Sequence, residues 1–343
     1  MKIFSIFLVY SNHLQKLALV VIMFARYIMN NWQIIEPKRF GGITTTENLV
    51  SVDDVKIKTT KCFVSLDDLN NFIGETKREY PFTPCSIAVG QVVELLSESN
   101  YIKKGSKVFL APSQATKNGY LRDFVTIPQS DVYVLPENVS EDDALFLGHV
   151  SLAITIIDKL NIDRGNHVAI IGGSYLANVI AQLLMYYQSV PILIDSNEKN
   201  LEIAHKTNVY YTLNPNENLE SEILAITGGR KCSKVIYVSD SMEDIDVIDK
   251  ITADRADVGF TGIPATKTKL SCSFAFEKQL NITFANDGES NIQTAINLLA
   301  QKAITLSHFK LHVYKFEYAP KHFENALLKL EENQDAEFII DML

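Results

Sequence analysis

Apolar and polar positions alternate with period two in the first part of the chain and change to a helical period further on. Val55-Lys56-Ile57-Lys58, Ala88-Val89-Gly90-Gln91-Val92-Val93 and Lys107-Val108-Phe109-Leu110 each read as a half-buried strand. Gly105-Ser106 and Asn118-Gly119 mark turns between such runs. Tyr120, Phe124, Val125 and Ile127 form a further strand before Pro128, and a short one at 132–135 stops at Pro136. Residues 30–136 are thus expected to build a compact, mostly antiparallel β module. Ser140, followed by Glu141, Asp142 and Asp143, then caps a helix that continues through Leu152 and Ile156 toward Leu160.

The stretch at 167–196 has a different pattern. Val168, Ala169, Ile170 and Ile171 are consecutively apolar, as in a fully buried strand, and Gly172-Gly173 breaks it. Leu176, Val179, Ile180, Leu183, Leu184 and Tyr187 then share one helical face. A second apolar strand at 192–194 ends on Asp195. Strand, glycine turn, helix, strand and acid about 20 residues on is the order of a dinucleotide-binding βαβ unit. Its G-x-G-x-x-G reads Gly172-Gly173-Ser174-Tyr175-Leu176-Ala177. The first glycine makes the tight turn, and the third place accepts alanine. Ser174 stands at the second place, where a Cβ crowds the approach of a pyrophosphate to the helix N-terminus. Asp195 is the expected partner of the ribose hydroxyls. With Ser196 next and no arginine close behind, NAD is favoured over NADP. Two competing readings are a cap on the following helix for Asp195 and, for the whole unit, a fold kept after its ligand was lost.

Composition narrows the class. The chain has 343 residues, of which 47% are hydrophobic and 21% charged, so it is globular and of about two domains. A net charge of -9, without a basic stripe, argues against nucleic acid as a partner. Cys62, Cys85, Cys232 and Cys272 lack CxxC spacing, which fits a reducing cytoplasm rather than a disulfide framework. Residues 1–28 read unlike the rest: two apolar runs interrupted by polar residues, each too short for a membrane span. They are expected to be an over-extended start or unpacked extension before a natural beginning at Met29. An interfacial anchor and a signal peptide are the alternatives.

Several motifs in order resemble the medium-chain dehydrogenase/reductase family, the zinc-type alcohol and polyol dehydrogenases and their zinc-free relatives. VKIKTTKC at 55–62 resembles the strand leading to the family's first metal cysteine. AVGQVVELLSESNYIKKGSKVFLAP at 88–112 resembles its "VGEVVEVG…VGDRV" run. NGYLRDFVTIPQSDVYVLPENVSEDDALFL at 118–147 resembles "GGFAEYVVVP…LPDGVSLEEAALL". NVYYTLN at 208–214 resembles its "GADxVIN" strand, KVIYVSDS at 234–241 its "DVVIDxxG" strand, and Asp254-Arg255-Ala256-Asp257 takes the place of a "PGGR" turn. Gly262 and Pro264 hold positions beside the nicotinamide site, LNITFA at 280–285 resembles the edge strand that pairs across the family's dimer, and HVYKFEYAPKHFENALLKLEE at 312–332 resembles its final strand and helix.

The resemblance implies an α/β chain with a GroES-like β-rich catalytic domain, residues 29–150 and 303–343, and a doubly wound Rossmann domain, residues 151–302. It implies a homodimer, a small-molecule substrate and a nicotinamide cofactor held by Gly172, Gly173, Ser174, Tyr175, Leu176, Asp195, Ser196 and Gly262. Zinc members hold their metal with a cysteine, a His-Glu pair and a later third ligand. Here Cys62 lies at or within one residue of the cysteine place, Cys85-Ser86-Ile87 matches "GHE", and His149 falls close to the third place. Serine and isoleucine make zinc unlikely, and the four-cysteine structural lobe is missing. Cys62, Ser86 and His149 are therefore expected to line a metal-free cleft, with His149 a proton donor or substrate contact. The leading expectation is an NAD(H)-dependent oxidoreductase. Its rivals are a catalytically inactive dimerising partner and a zinc polyol or sugar-phosphate dehydrogenase with rearranged ligands.

Overall fold

A computed structural model describes residues 29–45, 51–96, 101–111, 118–238, 246–262, 272–286, 288–309, 311–331 and 337–343. The extension at 1–28 and Pro264 lie outside the described residues. The first strands, β1 (Met29–Glu36) and β2 (Arg39–Thr45), pair as an antiparallel hairpin. A seven-stranded sheet follows from β3 (Asp54–Val64), β4 (Ile87–Leu95), β5 (Lys107–Leu110), β6 (Phe124–Pro128) and β7 (Val132–Val134). It is completed from the far end of the chain by β14 (Leu311–Lys315) and β15 (Glu337–Asp341), with β15 antiparallel to β3. The alternation expected around Val55 is only partly an inside-outside pattern, since Lys56 is buried too, its ammonium 5.4 Å from the centre of the Phe124 ring. Between β3 and β4 lies α1 (Leu66–Ile73), opened by a capping box between Ser65 and Asp68.

The passage to the second sheet is made by α2 (Glu141–Ala144) and α3 (Leu147–Lys159). Ser140 caps α2 as expected, its hydroxyl accepting from the Asp143 amide at 3.0 Å. The single helix expected here is broken at Leu145 and Phe146, because the Phe146 backbone (φ -93°, ψ 3°) leaves the helix as its ring stacks on Tyr175 at 4.3 Å.

The second sheet is six-stranded and parallel, from β8 (His167–Ile171), β9 (Val190–Ile194), β10 (Tyr211–Leu213), β11 (Cys232–Val238), β12 (Thr252–Thr261) and β13 (Asn281–Ala285). Its order is β10-β9-β8-β11-β12-β13. The order reverses between β8 and β11, which makes the crevice beyond the carboxyl ends of those strands the ligand site of such a sheet. Helices α4 (Tyr175–Tyr186), α5 (Glu198–Lys206), α6 (Leu219–Thr227), α7 (Val247–Ile251), α8 (Cys272–Glu277) and α9 (Ile292–Ala300) complete this unit, and α10 (Ala319–Glu331) packs with the first sheet. The turn expected at 254–257 lies inside β12. Arg255, at φ 58°, kinks the strand there, and the pairing register with β11 slips nearby.

Both faces of the parallel sheet are covered, which is why its strands are continuously apolar. Val168 and Ile170 join one core cluster with α3, α4 and α9, while Ala169 and Ile171 join another with α6 and α7. The first of these clusters also takes in Phe63, Val89 and Phe109, so a single apolar core continues from one sheet into the other. Among the described residues no helix is long and apolar enough to cross a membrane.

Candidate functional site

The crevice is built by the turn after β8. Gly172 has φ 101°, a conformation that a side chain would strain, and its amide donates to the Ile194 carbonyl at 2.8 Å. The next amide, of Gly173, donates to Oδ2 of Asp195. The Asn197 amide donates to Oδ1 at 2.6 Å, and the Asn200 side chain approaches Oδ2 at 3.4 Å. Asp195 is buried at the tip of β9, so its charge is held by the chain's own donors. A Cβ at Gly173 would stand 2.8 Å from Oδ2 and 2.7 Å from the Asn200 Cβ, so the second glycine makes room for a carboxylate of the chain itself. The cap of α5 is Asn197, whose side chain accepts from the Lys199 amide at 3.0 Å, so Asp195 is not that cap.

Ser174 is the N-cap of α4. Its hydroxyl turns back over the first turn, 3.5 Å from the Ala177 amide. Leu176 is buried in the core, and Ser196 is exposed just beyond Asp195. Tyr175 does not stay at the turn. Its ring reaches the space between the two sheets, 4.3 Å from Phe146, 4.1 Å from Phe309 and 5.3 Å from His149, centre to centre. Phe63, from β3, closes this cluster at 5.5 Å from Phe146 and 5.4 Å from His149. Gly262, at φ 85°, follows Thr261 at the carboxyl end of β12.

Of the three residues expected to line the cleft, Cys62 and His149 lie on opposite faces of β3. Strand side chains alternate between faces. Phe63 faces His149, while Cys62 points into the core of the β module, fully buried, its thiol donating to the Tyr120 carbonyl at 3.2 Å. Cys85 lies in the same core beside the Cys62 thiol, and burial pushes its own thiol well above the ordinary range. Ser86 is half-buried just before β4, next to Ile87, which lies beside Gly148. Among the described residues no three His, Cys, Asp or Glu side chains are grouped so as to hold a metal ion.

His149 is a half-buried ring whose Nδ1 is enclosed without a hydrogen-bond partner. Burial lowers its imidazolium from 6.5 to about 4, so the ring is neutral near pH 7 and offers a hydrogen bond rather than an acidic proton. The unfolded chain takes up this proton below pH 6.5, whereas the folded chain takes it up only near 4. The contribution to stability is therefore complete above 6.5 and is lost as the pH falls toward 4, on the order of 2 kcal/mol once partial exposure is allowed for. Urea midpoints near pH 7 and near pH 4.5 measure it. His149→Phe is expected to lose less stability on acidification than the unaltered chain, and equal losses would refute the assignment.

Sequence reasoning missed Phe63, Phe146, Phe309 and Thr261, whose hydroxyl is buried without a partner. Alternation along β3 carried the signal for Phe63, since a strand that buries Cys62 on one face must show its neighbour on the other. Nothing local marks Phe309, which reaches Tyr175 from the segment between α9 and β14.

No family model matches the sequence. An uncharacterised zinc-type alcohol dehydrogenase-like protein of Haemophilus influenzae is 24% identical over 204 residues, 59% of this chain and 60% of that protein. D-xylulose reductase A of Aspergillus oryzae is 22% identical over 213 residues, 60% of each chain. These matches span about three fifths of the length of the curated relatives. In structure, the chain resembles the short chain alcohol dehydrogenase RspB of Escherichia coli CFT073 complexed with NADH, with a TM-score of 0.79 at 15% identity, covering 92% of this chain and 100% of that one. The relatives and structural neighbours that the chain resembles are alcohol dehydrogenase-like proteins of the medium-chain dehydrogenase/reductase superfamily, and it shares their fold.

The two groups that this resemblance implies fare differently. The turn suits a dinucleotide: Gly172 supplies the backbone geometry, the N-terminus of α4 supplies amides and a positive dipole end, and a carboxylate stands at the end of β9. The donor set does not suit zinc. The two thiols are buried in the β core, and the strand position facing His149 is a phenylalanine.

Proposed function

We propose that this chain is a nicotinamide-dependent oxidoreductase, favouring NAD(H) over NADP(H), that acts on a small carbonyl, alcohol or activated double bond without a catalytic metal. The observation that carries this reading is the Gly172-Gly173-Ser174 turn at the point where the parallel sheet reverses its order, with Asp195 beside it. The amides at the start of α4 attract the anionic diphosphate. Asp195 holds the turn through the Gly173 and Asn197 amides, and the ribose diol is its expected ligand at the end of β9. A bound nicotinamide supplies or accepts the hydride. The cleft residues exclude water, and the neutral His149 offers a hydrogen bond to the reacting oxygen. In place of the family's GHE motif stands Cys85-Ser86-Ile87, and Cys62 faces away from the cleft, which favours the metal-free form over a zinc polyol dehydrogenase.

A second reading is a non-catalytic partner protein. It is favoured by the donors that already surround the Asp195 carboxylate and by the Tyr175 ring that fills space between the sheets. Titration followed by NADH fluorescence separates the two. Saturation below millimolar NADH, with NADPH weaker, is expected, and no response to either cofactor at millimolar concentration leaves the partner reading.

The same proposal includes a homodimer joined through β13. This strand lies at the edge of the parallel sheet, with Phe284 65% and Ile282 36% exposed. An edge strand with apolar side chains invites pairing with another strand. Light scattering is expected to give twice the chain mass, and Phe284→Lys to shift it to the monomer. An unaltered monomeric mass in both proteins removes the dimer. A reducing, cytoplasmic setting belongs to the proposal, since Cys62 and Cys85 lie beside each other as thiols.

A further inference from the structure

The wall between the two sheets has a composition that bears on the substrate. It is made of Phe63, Phe146, Tyr175 and Phe309, with His149 among them and Ile87 beside the neighbouring Gly148. Phe63, Phe146 and Tyr175 are buried, whereas Ile87, His149 and Phe309 are half-buried, so the cluster is open on their side. Besides the enclosed Tyr175 hydroxyl, His149 brings hydrogen-bonding capacity to this wall. Its Nδ1 is enclosed without a partner, which leaves Nε2 as the ring nitrogen available to a bound molecule.

From this wall we infer that the cleft selects a planar, apolar carbonyl compound, aromatic or conjugated, whose one oxygen accepts a hydrogen bond from Nε2 of His149. The inference rests on the oxidoreductase reading above and names its substrate class. Flat rings offer the stacking and edge contacts that planar molecules take up. Pockets of this kind bind through apolar surface and orient through a few polar groups. A polyol or ketose carries a hydroxyl on nearly every carbon. Against this wall most of those hydroxyls lose water without gaining a partner, each weakening binding on the order of tenfold. A ketose and an aromatic ketone carry the same reactive group, so the wall decides between them.

The test uses the full chain and ligand-observed NMR, with acetophenone as the planar probe, D-xylulose as the polyhydroxylated one and ethylbenzene as the control without oxygen. Acetophenone is expected to bind at least tenfold more tightly than xylulose. Phe309→Ala is expected to weaken acetophenone and ethylbenzene together. His149→Phe keeps a ring and removes the nitrogen, and is expected to weaken acetophenone about tenfold while leaving ethylbenzene unchanged. Xylulose binding as tightly as acetophenone, no binding of acetophenone, or acetophenone binding indifferent to both substitutions would overturn the inference. The NADH titration, run in parallel, judges the cofactor reading separately. Failure of NADH with acetophenone binding intact removes the oxidoreductase and keeps the aromatic site.

Discussion

Asp195→Ala is expected to lower the stability of the chain by about 3 kcal/mol and to weaken NADH at least a hundredfold. The carboxylate is 4% exposed and accepts from the Gly173 amide and, at 2.6 Å, from the Asn197 amide. Truncation leaves both amides without their acceptor; a buried donor such as the Gly173 amide costs about 1–3 kcal/mol, and the part-buried Asn197 amide adds less. It also opens a gap against Gly173, whose absent Cβ is what lets the carboxylate close on the turn. The turn then loses the groups that fix it, and a dinucleotide must order it on binding, which weakens affinity beyond the loss of any single contact. Asp195→Asn is the informative control. It keeps the volume and one acceptor but turns an N–H toward a donor, so it is expected to fall between the two. Urea unfolding and NADH titration on the three proteins read stability and affinity independently. An alanine variant as stable as the unaltered chain would show that the carboxylate does not hold the turn.

Asp68→Ala is expected to cost about 3–4 kcal/mol without touching the crevice. Asp68 is 3% exposed. Oδ2 accepts from the Ser65 amide at 3.0 Å and from its hydroxyl at 2.7 Å, while Oδ1 accepts from the Cys85 amide at 2.8 Å. The first two contacts complete the cap of α1, a device worth about 1 kcal/mol. The third ties the helix to Cys85, which sits at φ 67° just before β4. Removing the carboxylate leaves the Cys85 amide buried and unpaired at a residue already in an unfavourable backbone conformation. Asp68→Asn keeps one acceptor and is expected to cost about half as much. Urea midpoints check the order, with the NADH affinity of the folded protein unaltered. Equal stability of all three proteins would show that Ser65 and Cys85 find other partners.

The parts of the chain legible in its sequence are those fixed by neighbours a few residues away. The run at 168–171 is apolar throughout because both faces of a parallel strand are covered, and β8 lies at His167–Ile171. Ser140 was readable as a cap because capping is local. Two local readings fell to longer-range packing. The helix after Ser140 breaks where Phe146 meets Tyr175, 29 residues on, and the turn expected at 254–257 is a kink within a strand that continues beside β11. The cleft was legible only to within one residue. A one-place difference along a strand exchanges the two faces of a sheet, so naming Cys62 rather than Phe63 placed a buried core thiol in a cleft that an aromatic ring lines.

By itself the sequence determined the order of the elements, the glycine turn before α4 and the acid at the end of β9. Each follows from periodicity, from backbone freedom or from the end of an apolar run. Only the tertiary structure decided what those groups face. The Asp195 carboxylate meets the Gly173 amide across 22 residues, and Phe63, His149, Tyr175 and Phe309 form one wall from positions spread over most of the chain. Such contacts depend on how two sheets pack against each other, and no pattern of neighbouring side chains encodes that distance.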